Sequence, residues 1–155
     1  MNHMQRNLYS SSNSGLTASL LLLVVVVAGC NTVARIPAFR SAEISPPELM
    51  PGASALITAE VADRFKIVHR VEGALKEYPN KKLKLHDDGL PPDTKAGDGI
   101  WSLQVDVPFQ APPGAFILEL TAYNSKGDVI IVPGPDGNDV PLMSTCKVVI
   151  SYPQK

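Results

Sequence analysis

Apolar and polar residues alternate with a period of two in stretch after stretch of this chain, and Pro, Gly, Asp and Asn separate the stretches. Ala55, Ile57, Ala59 and Val61 fall on one face, with Thr58 and Glu60 on the other. Phe65, Ile67, His69 and Val71 keep the same period, as do Leu83 and Leu85 between Lys82, Lys84 and His86. Trp101, Leu103, Val105 and Val107 alternate with Ser102, Gln104 and Asp106; Phe116, Leu118, Leu120 and Ala122 alternate with Ile117, Glu119 and Thr121. Cys146, Val148 and Ile150 close the series. A period of two is the mark of half-buried antiparallel strands, because successive side chains point to opposite faces of a sheet. Pro46-Pro47, Pro91-Pro92 and Pro112-Pro113 cannot lie inside central strands, and Asn124 to Asp128 reads as a turn between two apolar runs. Residues 73 to 78 offer one helical turn at most. With an early strand near Ser41 to Ser45, the count is about seven, which suits an all-β antiparallel sandwich with Trp101 as the largest member of its core.

Ahead of these strands, Leu16 to Ala28 is an apolar run broken only by Thr17 and Ser19, and it ends in Val27-Ala28-Gly29-Cys30. The polar start before it carries Arg6 and no acidic residue. The run is shorter than the roughly 20 apolar residues that span a bilayer, and it reads as a secretory signal, residues 1–29, cut just before Cys30. The segment resembles the lipobox signal of bacterial lipoproteins, with Val27 where that family more often has Leu. The resemblance implies a diacylglyceryl group on the Cys30 sulfur and an acylated new N-terminus, which together make a stable membrane anchor where one chain would be marginal. In Gram-negative lipoproteins an Asp after the cysteine commonly retains the protein in the inner membrane; Asn31 stands here, so the expected location is the cell envelope, with the outer membrane favoured over a periplasm-facing inner-membrane site. Residues 30–40 are the lipidated N-terminus and tether, and 41–155 the domain.

After residue 29 there remain 126 residues, 13 basic and 15 acidic, enough for one domain. No basic field points to nucleic acid. With Cys30 taken by the anchor, Cys146 is alone, so no internal disulfide framework is possible. Cys146 reads as a small buried hydrophobe on its strand, with an intermolecular disulfide as the alternative.

The strand pattern looks like the immunoglobulin-like or fibronectin-type-III-like sandwiches of bacterial surface lipoproteins. The residues that carry the likeness are Leu85 to Gly89, Asp93, Ala96 to Ser102, and Pro113-Gly114 leading into Phe116 to Tyr123. That resemblance bears on the fold and leaves function open, since sandwiches host many activities.

Two loops are candidates for chemistry. Asp87, Asp88, Asp93 and Asp98 lie within twelve residues, interleaved with Gly89, Gly97 and Gly99. Such a loop can gather oxygen ligands for a hard cation, so a structural Ca²⁺ is one reading, although the spacing is not that of an EF-hand. The other reading is that Asp and Gly cap tight turns by bonding nearby backbone N–H groups. The second loop runs Pro133 to Asp139, and Pro135, Asp136, Asn138 and Asp139 are candidates for contact with a partner, against a passive insertion.

Enzyme signatures are missing from the sequence: there is no Gly-x-Ser-x-Gly elbow and no His-Glu-x-x-His. His69 falls on the apolar side of its expected strand, a core or rim position. His86 reads as surface beside lysines. Asp87 and Asp88 are adjacent, so alternation sends them to different sides, against an acid–base pair. Lys76, Lys81, Lys82 and Lys84 read as a solvated strand edge that discourages pairing. The expected function is therefore non-catalytic: a binding or accessory module for an envelope protein or glycan. The alternatives are a structural envelope component with a calcium-braced loop, and a subunit of an extracytoplasmic hydrolase.

Overall fold

The computed structural model describes residues 36–152, so the segment around Cys30 lies outside the described residues. The described chain forms ten strands: β1 (Ala38–Ser45), β2 (Glu48–Leu49), β3 (Ser54–Ala62), β4 (Arg70–Leu75), β5 (Tyr78–Leu85), β6 (Ile100–Asp106), β7 (Gly114–Tyr123), β8 (Ile131–Pro133), β9 (Asp139–Pro141) and β10 (Met143–Ile150). Seven have six residues or more, and no α-helix occurs among the described residues. The first strand starts at Ala38, inside the stretch read as tether.

Two sheets carry the long strands. One has the order β1-β3-β6, the other β2-β10-β7-β4-β5, and β8 with β9 makes a separate hairpin. The pairs are antiparallel except for the two-residue β2, which lies parallel to β10 through Val149↔Glu48 and Ile150↔Leu49. The alternation explains the layering. In β3 the odd residues Ala55, Ile57, Ala59 and Val61 are buried, and in β7 Leu118, Leu120 and Ala122 are. These faces meet, with Val71, Leu85, Val148 and Ile150, in one shared core, which makes the molecule a β-sandwich. Burying a side chain such as Ile57 or Leu118 contributes about 1.5–3 kcal/mol. A smaller cluster of Ala122, Ile130 and Leu142 seats the β8–β9 hairpin against Phe39 and Val68.

The sandwich has two distinct ends. The chain comes in at the end formed by Ala38, Ala62, Arg70, Leu85, Ile100 and Tyr123, because those residues pair or succeed one another across the registers. The opposite end gathers Ser54, Leu75, Tyr78, Asp106, Gly114 and Ile150.

Two expectations need correction. Phe65, Ile67 and His69 are not on a strand: all three are exposed, and residues 63–69 form a turn in which the Val68 N–H donates to the Asp63 carboxylate at 2.6 Å. Local side-chain bonding to the backbone outcompetes the ladder there. His69 is thus a surface residue. Trp101 is not the largest buried side chain: it is half-buried at the core's margin, and Ile57, Leu85, Leu118 and Leu120 fill the centre.

Candidate functional site

The aspartate loop connects β5 to β6 at the end where the chain comes in. Asp87, Asp93 and Asp98 each bring a carboxylate oxygen to within 4.8 Å of the others. Asp88 is not part of this group; it turns outward and faces His86, Nδ1 to Oδ2 at 3.4 Å. The divergence follows from the opposite directions of adjacent side chains.

Backbone N–H groups occupy these carboxylates. Asp87 accepts from Gly97 at 2.7 Å and Asp98 at 3.2 Å on one oxygen, and from Gly99 at 3.1 Å on the other. Asp93, only 4% exposed, accepts from Gly89 at 2.6 Å and Lys95 at 3.3 Å. Asp98 accepts from Ile100 at 2.9 Å. The Gly89 N–H, with smaller help from neighbouring amides, holds the Asp93 carboxyl below the usual carboxylate range against the opposing pull of burial. The Lys66 ammonium sits beside the loop and donates to the Gly97 carbonyl at 2.7 Å. Asp87, Asp93 and Asp98 are the residues able to hold a divalent cation, and their lone pairs already cap the turn.

The second candidate loop is ordered. Pro135, Asp136, Asn138 and Asp139 lie at the tip and first paired residue of the β8–β9 hairpin, closed by Gly134 N–H to the Asn138 carbonyl at 2.7 Å. The Asn138 amide donates to Asp136 at 2.8 Å and holds that carboxyl low. The polar tip is satisfied by its own bonds.

Cys146 lies half-buried on β10, and burial pushes its thiol up, so it stays protonated at neutral pH. His86 joins the two sheets through its backbone: its N–H and carbonyl exchange bonds with Ser102 at 2.9 and 2.8 Å.

That stitch has a consequence the alternation does not reveal. Strands β5 and β6 are edge strands of different sheets, joined at the His86–Ser102 end and parted toward the other. Between Tyr78–Lys81 and Val105–Val107 they leave a groove of ≈ 690 Å³ that reaches the inner faces of both sheets. Its walls are the half-buried Leu75, Leu83, Val105 and Phe116, the buried Ile57, Leu118 and Val148 close its floor, and its rim carries Glu77, Tyr78, Lys81, Asp106 and Gln110. Tyr78 and Phe116 form a tilted aromatic pair at 6.4 Å. Beside the groove, Phe109 is 83% exposed and Met50 52%. Phe109 lies over Gly52, whose missing side chain makes room for the ring. Tyr152 closes this end by donating to the Ala111 carbonyl at 3.0 Å. A cleft of ≈ 800 Å³ and mixed character at the other end is lined by Arg40, Glu60, Arg64 and Lys66 together with Ile36, Val68 and Trp101, with Arg40 and Glu60 paired loosely at 3.7 Å.

The one cue in the sequence for the apolar end was Phe109, an aromatic residue in a connector between Pro108 and Gln110.

Fold and site together define an all-β sandwich with an apolar groove at one end and an aspartate-capped loop at the other. No family model matches the chain, and no curated protein does. Among solved structures it is similar to a Niemann-Pick type C2 protein from the Japanese carpenter ant, at 10% identity and a TM-score of 0.46, over 76% of this chain and 94% of that one. A likeness of that size assigns neither ligand nor partner.

Proposed function

We propose that the chain is a non-catalytic, lipid-anchored module of the cell envelope, an immunoglobulin-like sandwich of the fibronectin-type-III kind that binds an envelope protein or glycan. Strand order supports the finer fold. Taken in sequence, the first, second and fifth long strands form one sheet, and the seventh, sixth, third and fourth the other. Immunoglobulin-like sandwiches divide their strands in this way, with the fourth strand beside the third as in the variable type. The anchor rests on the Leu16–Cys30 segment, and Asn31 favours the outer membrane in a Gram-negative host.

The observation that carries the binding role is Phe109, at 83% the most exposed large hydrophobic side chain among the described residues, with Met50 and Tyr78 also exposed at the same end, away from the incoming chain. Aromatic anchors on an exposed end are what a partner interface uses. The hairpin tip at Pro135 to Asp139, polar and bonded to itself, is the weaker candidate surface. A photo-crosslinking amino acid at Phe109 in cells should trap a defined envelope component, and one at Gly137 should trap none. The reverse pattern would move the interface to the hairpin; no adduct from either position would remove the binding role.

A second reading, a structural component with a calcium-braced loop, is favoured by the convergence of Asp87, Asp93 and Asp98.

A further inference from the structure

The end at which the chain comes in carries exposed apolar side chains of its own, on the two loops that flank the incoming chain. We propose that these loops, β3–β4 and β5–β6, dock onto the bilayer itself, with Phe65 and Leu90 entering its interfacial layer. The docking rests on the reading of Cys30 as a lipid anchor.

The turn that takes residues 63–69 out of the strand pattern presents an apolar tip. The Lys66 N–H donates to the Asp63 carbonyl at 3.4 Å, which leaves Arg64 and Phe65 at the corner, with Phe65 53% exposed and Ile67 exposed behind it. Lys66, held at φ 55°, donates through its ammonium to the Gly97 carbonyl at 2.7 Å and ties this turn to the aspartate loop. On that loop Leu90 is 65% exposed, and its carbonyl accepts the Asp93 N–H at 2.8 Å in a second turn. Ile36, exposed just ahead of β1, lines one cleft with Arg64, Lys66 and Gly97. None of Ile36, Phe65, Ile67 and Leu90 packs against either core cluster. Exposed apolar side chains gathered on ordered turns, and unused by the core, mark an interaction surface.

Tether length selects the occupant. Cys30 precedes Ile36 by six residues, which span about 20 Å when fully extended. Acyl chains on Cys30 thus keep this end within that distance of the bilayer, a gap narrower than the roughly 30 Å of a small domain. A separate protein has no room there, and the lipid surface does. Charge leaves the contact to apolar groups. Residues 63–69 and 86–99 together hold three basic and five acidic residues, so anionic headgroups do not drive the approach. Phe65 supplies an aromatic ring of the kind found at membrane–water interfaces. Arg64, exposed beside it and in no ion pair among the described residues, meets the phosphate of a zwitterionic lipid.

The test uses the full chain, purified from the membranes of an expressing bacterium and reconstituted in phosphatidylcholine vesicles. Intact mass first reports whether Cys30 carries acyl groups. A diazirine side chain then replaces Phe65, Leu90 or Phe109, and its adducts are identified by mass spectrometry. Positions 65 and 90 should give phospholipid adducts, and position 109, at the opposite end, none. Phe65→Ser should cut lipid labelling from position 90 about tenfold, as the loss of one ring from an apolar contact does. Ile67→Ser should act in the same direction, and near-UV circular dichroism should stay native in both variants. Adding phosphatidylglycerol should not raise the labelling. An acylated chain that gives no lipid adduct at 65 or 90, or equal adducts at 65 and 109, would overturn the docking and leave the anchor standing. Adducts to a second copy of the chain would replace the bilayer by a dimer contact. Labelling that rises with phosphatidylglycerol would overturn the apolar drive. A chain without acyl mass would overturn the anchor and the docking together.

Discussion

Gly99 stands where the aspartate loop joins the core. Its φ is +88°, and a Cβ there would lie 2.6 Å from the Val61 carbonyl oxygen, while its own carbonyl accepts the Val61 N–H at 2.8 Å. Gly99→Ala combines left-handed strain with a backbone clash, and should cost about 2 kcal/mol or more, lowering the melting temperature by about 10 °C for a domain of this size. Gly137 has φ +81° and nothing within 4 Å of its would-be Cβ. Gly137→Ala should cost only the strain, and equal losses for the two variants would refute the clash. Asp93 gives a prediction in pH. Its folded carboxyl titrates below the ordinary value, so its contribution is complete above about pH 4 and is lost as pH falls through the folded value. Thermal melts from acid to neutral pH should show stability falling below about pH 4. Asp93→Asn should be less stable at neutral pH and show a shallower acid decline. An unchanged acid limb would mean that other carboxylates, Asp136 among them, carry the effect.

At the scale of elements, the aspartate loop is a turn held by its own amides. Six backbone N–H bonds reach Asp87, Asp93 and Asp98. A cation would have to share oxygens already used, so millimolar calcium or a chelator should leave the melting temperature unchanged. A calcium-dependent rise that disappears in the Asp93→Asn, Asp98→Asn double variant would establish the calcium-braced reading instead. Elements differ in how far they could be read in advance. β3, β6, β7 and β10 were legible because each has one face committed to the core, and Ala55 to Val61 shows this without exception. Residues 65–71 carry the same period, yet the Asp63 carboxylate draws the chain into a turn, and no count of apolar positions contains that bond. β5 reaches back to Tyr78 across Pro79, which an edge strand tolerates. The aspartates were legible as a cluster; that Asp88 leaves it while Asp93 is buried depends on how the loop folds.

For the whole molecule, seven long strands in two sheets follow from pattern and punctuation. The groove does not, because it arises from two edge strands of different sheets that meet at His86 and Ser102 and then part. Non-local divergence of that kind leaves no mark in either strand's own sequence, which is why Leu83 and Val105 look like ordinary core residues. The same architecture sets a direction for force. The chain comes in at Ala38, β1 runs the length of the sandwich to Ser45, and the apolar end lies beyond. A membrane tether pulling at Ala38 and a partner pulling at Phe109 would stretch the molecule along its strands. The hydrogen bonds between β1 and β3 would then be loaded in shear, many at once, and would not unzip singly, an orientation that suits a domain bearing tension along its strands.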